Sequence, residues 1–239
     1  MLDETLEQEL LHHYDHELVG QLEPFARNVA ETLRTDLVSV KEVRPLIVWR
    51  VKSRDSLRRK LREEFGGGAE PDTPLTPDTL IENVQDLAGV RVIVHDRDNI
   101  DKMVGVLERS AAEGCWVLFR TKVIDWDRDI RKAPVEVPDA RVEHEWVERG
   151  SYRSRHITIK KSTFSPIRCE VQFRSVIEEA MFEAHHRLIY RVRQHELEPL
   201  PAVEEMLGPM TEMFSSLDNM VSDCYRWTRD LLPENNQQR

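Results

Sequence analysis

The heptapeptide R-C-E-V-Q-F-R, Arg168 to Arg174, alternates apolar and polar side chains. Cys169, Val171 and Phe173 fall on one side, and Glu170, Gln172 and Arg174 on the other. A period of two marks a half-buried strand. Its polar side sets a carboxylate, an amide and a guanidinium next to one another on a rigid element, which suits holding a nucleotide and a metal. Cross-strand charge pairs also decorate ordinary solvated sheets, so the neighbouring segments have to decide between the two readings.

Downstream, Ser175 is placed to cap a helix whose inner face carries Ile177, Ala180, Met181, Ala184, Leu188 and Ile189. That helix runs to about Arg193, and Pro199 and Pro201 end it. Upstream, Y-R-S-R-H-I-T-I-K from Tyr152 reads as a tight loop opening into a strand, with Tyr152 and His156 near the loop. Val142–Val147 forms a further short strand. D-L-A-G-V-R-V-I-V-H-D, from Asp86, is a strand rich in branched residues. Val90, Val92 and Val94 make one row, and Gly89, Arg91 and Ile93 the other. Asp86 stands at the mouth of this strand, a fit position for a carboxylate that holds a metal. An amphipathic helix over Asn99–Ala112 follows, then a strand over Cys115–Phe119 and a charged, proline-bearing connection to about Ala140.

Nearer the N-terminus, L-I-V-W-R-V (Leu46–Val51) reads as a buried strand. It leads into K-S-R-D-S-L-R-R-K-L-R-E-E-F, where Ser53 or Asp55 caps a helix reaching Phe65. Arg50 and Lys52 alternate onto one face of the strand end, and Ser56 and Lys60 lie one helical turn apart. Strand ends and helix N-termini bind phosphates through dipole and side chain together, although a solvated basic helix face has the same composition. Residues Gly66–Asp78 carry the strongest breaker signal, a loop that is either a lid or an insertion. A short helix follows near Thr79–Asn83. From Leu2 to Leu37 apolar residues recur at threes and fours, with Gly20 and Pro24 dividing the segment or kinking it. His12 and His16 share a helical face there and read as solvated, because no further ligand accompanies them. At the C-terminal end an amphipathic helix or helix pair carries a methionine stripe, read as packing surface and suited to a subunit interface.

The sequence has 239 residues, 40% of them hydrophobic, enough for a real core. A net charge of -10 argues against indiscriminate nucleic-acid binding. The positive charge is concentrated: Arg50, Lys52, Arg54, Arg58, Arg59, Lys60 and Arg62 are opposed within their segment only by Asp55. One basic patch on an acidic protein suits a small polyphosphate. The three cysteines, Cys115, Cys169 and Cys224, are widely spaced and odd in number, which favours reduced thiols. The acidic N-terminus does not read as a signal peptide, and no apolar run approaches a membrane span. A cytoplasmic protein with no membrane partner is expected.

Four segments together resemble the synthetase domain of the RelA/SpoT family: R-V-K-S-R-D-S-L-R-R-K-L from Arg50, D-L-A-G-V-R-V-I-V from Asp86, Y-R-S-R-H from Tyr152, and E-V-Q-F-R-S from Glu170, which continues into A-H-H-R-L-I-Y-R. The resemblance covers roughly residues 40 to 195. It implies an α/β (α+β) fold: a mixed, nucleotidyltransferase-like β-sheet flanked by helices. Helical extensions are then expected over 1–40 and 196–239, around a synthetase domain at 41–195. It implies transfer of pyrophosphate from ATP to the 3'-hydroxyl of GDP or GTP with Mg²⁺. Glu170 would be the base, and Asp86 and Glu170 the metal ligands. Arg50, Lys52, Ser56 and Lys60 would hold the ATP phosphates, with Arg91 near the adenine. Tyr152 would stack on the acceptor base, and His156, Gln172 and Arg174 would position the acceptor. Small relatives assemble through terminal helices, so a homo-oligomer is implied too. Toxin-type relatives instead modify the 3' end of tRNA or make adenosine alarmones, and a non-catalytic nucleotide-binding module is a further alternative. The chain departs from the family pattern on the acceptor side. Ser151 precedes Tyr152, Arg155 stands where a leucine is usual, and His185 replaces a glutamate beside His186. Arg155 suggests a larger, more charged acceptor. His95-Asp96 closes a strand and lacks the helical metal motif of the family's hydrolase half, so a synthesis-only enzyme is expected.

Overall fold

Strand β6 (Arg168–Ser175) sits inside a six-stranded sheet. The computed structural model describes residues 2–36, 43–67, 73–124, 143–147, 154–190, 192 and 200–231. The sheet order is β1 (Leu46–Val51), β2 (Ala88–Val94), β6, β5 (Ser154–Lys160), β3 (Val117–Ile124) and β4 (Glu143–Val147). β2 pairs with β6, and β3 with β4, in parallel; the other pairs are antiparallel, so the sheet is mixed as expected.

Alternation divides the sheet into two faces. Val90, Val92, Val171, Phe173, Ile157 and Ile159 are almost fully buried on one of them. Helices α2 (Val19–Asp36) and α5 (Asp98–Ala112) pack there. α3 (Arg54–Phe65) adds Leu57 and Leu61 to the same core, and α1 (Glu4–His13) adds Leu10 and Leu11. The other face carries the polar rows. β6 leaves it through a capping box, in which the Ser175 hydroxyl accepts from the Glu178 amide and the Glu178 carboxylate accepts from the Ser175 amide. Helix α6 (Val176–His185) is thereby turned back over the end of this face.

Several local expectations change. The N-terminal irregularity lies at a π-helical turn, Tyr14–Leu18, and not at Gly20 or Pro24. Pro24 sits inside α2, which continues because Leu22, Phe25, Ala26, Val29 and Leu33 are buried; packing outweighs one lost hydrogen bond. β1 is an edge strand rather than a buried one, with Leu46 60% and Val48 42% exposed on the polar face. A short apolar run does not reveal that one of its faces is open. β3 extends well beyond Phe119, because β5 pairs with it as far as Ile124. The short α4 (Leu80–Asn83) forms as expected. The connection to Ala140, Tyr152 and part of the Gly66–Asp78 loop lie outside the described residues.

The C-terminal segment is one long helix, α7 (Pro201–Leu231). Its inner side is held by charge. Arg97 lies 3.6 Å from Asp218, and Asp98 accepts from Arg226 at 3.1 Å. Its outer side leaves Met206, Met213, Met220 and Trp227 exposed. His95 stacks on Tyr225, and Asp96 accepts from the Asn99 side chain at 2.6 Å, so this His-Asp pair is structural. Among the described residues no helix is long and apolar enough to cross a membrane.

Replacing Ser175 by Ala should lower stability by about 1–2 kcal/mol through loss of the cap, as measured by urea unfolding.

Candidate functional site

Sheet register builds the polar face row by row. Gly89 is paired with Arg50 on one side and Glu170 on the other, and Glu170 is in turn paired with Thr158. The next row is Val48, Arg91, Gln172 and His156. Gly89 contributes no side chain, so the face stays open between Arg50 and Glu170.

Glu170 is held from two sides. Its Oε1 lies 3.0 Å from His156 Nδ1, and its Oε2 accepts from Gln172 Nε2 at 2.6 Å. Burial alone would raise its pKa. The nearby His156 and the hydrogen bonds from His156 and Gln172 outweigh burial, so the net shift is downward; the charge of Asp86 opposes it. The carboxylate is therefore ionised at neutral pH, the form a proton acceptor requires.

The chain of contacts continues outward. Gln172 Oε1 accepts from Arg174 at 3.0 Å, and Arg174 also donates to Ser154 Oγ and, at 2.8 Å, to Glu179. Arg174 is only 1% exposed, so it braces Gln172 and Glu170 from behind. Glu179 also takes Arg91, and both guanidiniums lie over the ring of Phe182, at 4.0 Å for Arg174 and 5.2 Å for Arg91. Glu179 and Phe182 were not legible as site residues. A glutamate in the first turn of a helix reads simply as a complement to the helix dipole.

The second cluster lies at the end of β1. Asp86 Oδ2 accepts from Lys52 Nζ at 2.8 Å, and Lys60 Nζ stands 3.1 Å from its Oδ1. Burial pushes the Asp86 carboxyl up, but the two ammonium groups bring it below the usual carboxylate range. Lys60 is shifted the opposite way: burial works against its charge, and Asp86 and Glu64 more than restore it. Ser53, not Asp55, caps α3, and its hydroxyl donates to Ser56 Oγ at 2.9 Å. Arg50 is exposed and forms no ion pair among the described residues.

The N-terminal helices hold this cluster in place, another feature not legible in the sequence. The Tyr14 hydroxyl, on the π turn, donates to the Lys52 carbonyl. Burial pushes the Tyr14 phenol up, as do the charges of Asp15 and Asp86, so it stays a donor. Asp15 pairs with Arg54, and Glu7 accepts a fork from Arg62 at 2.6 and 2.9 Å.

Arg155 does not serve this face. It alternates onto the opposite side from His156 and pairs with Asp101 of α5 at 2.8 Å. The suggestion that it receives a larger acceptor is withdrawn. Among the described residues no group of three or more His, Cys, Asp or Glu is arranged to hold a metal. Asp86 and Glu170 supply oxygen donors, with Lys52 and Lys60 as the present ion-pair partners of the two Asp86 oxygens. Mg²⁺ takes one or two carboxylates and completes its shell with water and substrate phosphates, so this pair fits it.

The fold and these paired clusters define a nucleotidyltransferase-like α+β protein. A family model described as a region found in RelA / SpoT proteins matches residues 49–195. The chain belongs to the RelA/SpoT family. Solved structures agree on the fold. A GTP pyrophosphokinase family protein from Streptococcus pneumoniae superposes with a TM-score of 0.61 at 18% identity, covering 91% of this chain and 98% of that one. The small alarmone synthetase 1 from Bacillus subtilis, bound to its product pppGpp, gives 0.56 at 18% identity over 95% and 100%. The same synthetase bound to AMPCPP gives 0.51 at 17% identity over 86% and 94%. No curated protein matches the sequence.

Glu179→Gln removes the charge shared by the buried Arg174 and the partly buried Arg91 and should cost about 3–5 kcal/mol in urea unfolding. Glu183→Gln, at a more exposed residue 3.8 Å from Arg91, should cost under about 1 kcal/mol.

Proposed function

We propose that this protein transfers the pyrophosphoryl group of ATP to the 3'-hydroxyl of GDP or GTP. The observation that carries the reading is the pairing of an ionised Glu170 with a Lys52–Asp86–Lys60 cluster, close enough for the two carboxylates to feel each other's charge. In this reading the acceptor oxygen attacks the β-phosphorus of ATP. The bond from that phosphorus to the α-bridging oxygen breaks, AMP departs, and the hydroxyl proton passes to Glu170. Lys52, Lys60, Ser56 and the exposed Arg50 receive the triphosphate, and Arg91, fixed by Glu179 and Phe182, meets the adenine. His156 orients both Glu170 and the acceptor. Gln172 and Arg174 act through Glu170, and Tyr152 stacks on the acceptor base. Mg²⁺, held by Asp86 and Glu170, would draw charge from the bridging oxygens.

The solved structures with pppGpp and with AMPCPP belong to another protein of the same fold, and they support nucleotide substrates here. Nothing at Arg155 favours tRNA as the acceptor. Assembly through α7 goes with this reading, because its outer apolar row is exposed; light scattering on the full chain should show an oligomer. A cytoplasmic setting, where both nucleotides are abundant, suits it as well.

With labelled ATP, Mg²⁺ and a panel of GMP, GDP, GTP, ADP, ATP and deacylated tRNA, label should appear on GDP or GTP. Label on tRNA alone would replace this reading with the toxin type. Glu170→Gln should reduce turnover at least about a hundredfold with little change in thermal midpoint, because the amide fits the site but takes no proton. Unaltered turnover in that variant would place the base elsewhere.

A further inference from the structure

Beyond Glu170, at the start of β6, lies a group of charges that the reaction above does not use. Lys160 and Arg168 are cross-strand partners, one step past the Thr158–Glu170 pair and on the same face as Glu170. Both lie against Phe119: Lys160 Nζ and the Arg168 guanidinium carbon are each 4.3 Å from its ring centre. Phe119 is delivered there by an irregularity, because the β3–β5 register shifts between Leu118 and Arg120. Bulges near active sites re-aim side chains in this way. Arg120 adds a third positive charge on the Thr158–Glu170 row, held by Gln85 at 3.2 Å.

Arg168 and Lys160 are poorly compensated. Arg168 is 8% exposed, and its Nε is buried with no hydrogen-bond partner. Neither Arg168 nor Lys160 forms an ion pair among the described residues. The acidic side chain whose charge reaches both is Glu82, exposed on α4, and it is not in ion-pair contact with either. Burial pushes both groups down, and the arginine charge pushes the lysine further. One aromatic ring offers modest attraction to each cation and nothing against their mutual repulsion. A purely structural role would leave the molecule holding two like charges together without return. A bound anion resolves this.

We propose that Arg168 and Lys160, seated on Phe119, form a subsite for the 5'-phosphoryl oxygens of the acceptor nucleotide. The identity of that nucleotide rests on the function proposed above; the preference for phosphate rests on the cluster itself. Lys52 and Lys60 meet the donor phosphates from the β1 side of Glu170, whereas Lys160 stands on β5 and Arg168 two residues before Glu170 on β6 itself. The reacting hydroxyl at Glu170 thus has phosphate-binding groups on both sides of it. Arginine supplies a planar fork and lysine a point charge, a combination suited to phosphoryl oxygens.

Acceptor KM should be measured for guanosine, GMP, GDP and GTP with wild type, Arg168→Gln and Lys160→Gln. KM for GDP and GTP should rise about tenfold in each variant, equivalent to about 1.4 kcal/mol, while KM for guanosine and for ATP holds. An equal rise for guanosine, or no rise for GDP, overturns the proposal. If the wild type transfers to no nucleotide, the function above fails, and the subsite is judged by calorimetric titration with inorganic pyrophosphate. Binding that weakens about tenfold in Arg168→Gln but not in Lys60→Gln supports it; equal binding in wild type and Arg168→Gln, or none in the wild type, overturns it. Ligand-free Arg168→Gln should also melt at or above the wild-type temperature, because an uncompensated buried charge has been removed. A clear drop would mark Arg168 as structural and overturn the assignment.

Discussion

The parallel pairing of β2 with β6 is the constraint on which the rest depends. It sets Gly89 opposite Glu170 and Arg91 opposite Gln172, and so decides which polar groups share a row. A slip of one residue would turn Glu170 into the core and Val171 out of it. The slip is prevented from behind, because Val90, Val92, Val171 and Phe173 are almost completely buried and leave one register that hides them all. The apolar face thus does the positioning, and the polar face inherits the result.

From that register two supports extend in opposite directions. On one side Gln172, Arg174 and Glu179 form a line of contacts ending on α6, and the capping box at Ser175 determines where α6 begins. On the other, Tyr14, Asp15 and Glu7 hold the end of β1 and the basic helix α3. Both carboxylates at the centre have lowered pKa values for the same reason: cations or donors stand close enough to outweigh burial. The Lys52–Asp86–Lys60 corner is bound into the protein by ion pairs, and Glu170 by hydrogen bonds from its own sheet.

Much of this was legible in the sequence. The alternation at Cys169, Val171 and Phe173 and the valine row from Val90 gave the two central strands and their inward faces. Arg50, Lys52, Ser56 and Lys60 suggested a phosphate site and Asp86 a separate carboxylate at a strand mouth, and the structure joins Asp86 to Lys52 and Lys60. What stayed hidden depends on contacts far apart in the chain. Glu179 is 88 residues from Arg91, and Tyr14 is 38 from Lys52, so no local pattern marks either pair. Arg155 misled because a departure from a family pattern was read as chemistry, when alternation alone sends its side chain to the opposite face. The edge position of β1 was missed for a related reason: exposure on one face comes from topology, and six residues of sequence do not carry it.

The π turn at Tyr14–Leu18 has a consequence for how the N-terminal helices tolerate change. Such a turn holds one residue more than an α-helical turn while sweeping about the same angle, so deleting a single residue there would leave an ordinary α-helix with the segments on either side close to their present phase. Glu7, Leu10 and Leu11 would keep facing α3 and the core, and only the residues of the turn itself, Tyr14 at the Lys52 carbonyl among them, would be redistributed. Variants that shorten this one turn should therefore keep the helix and its packing and loosen the tether on the end of β1.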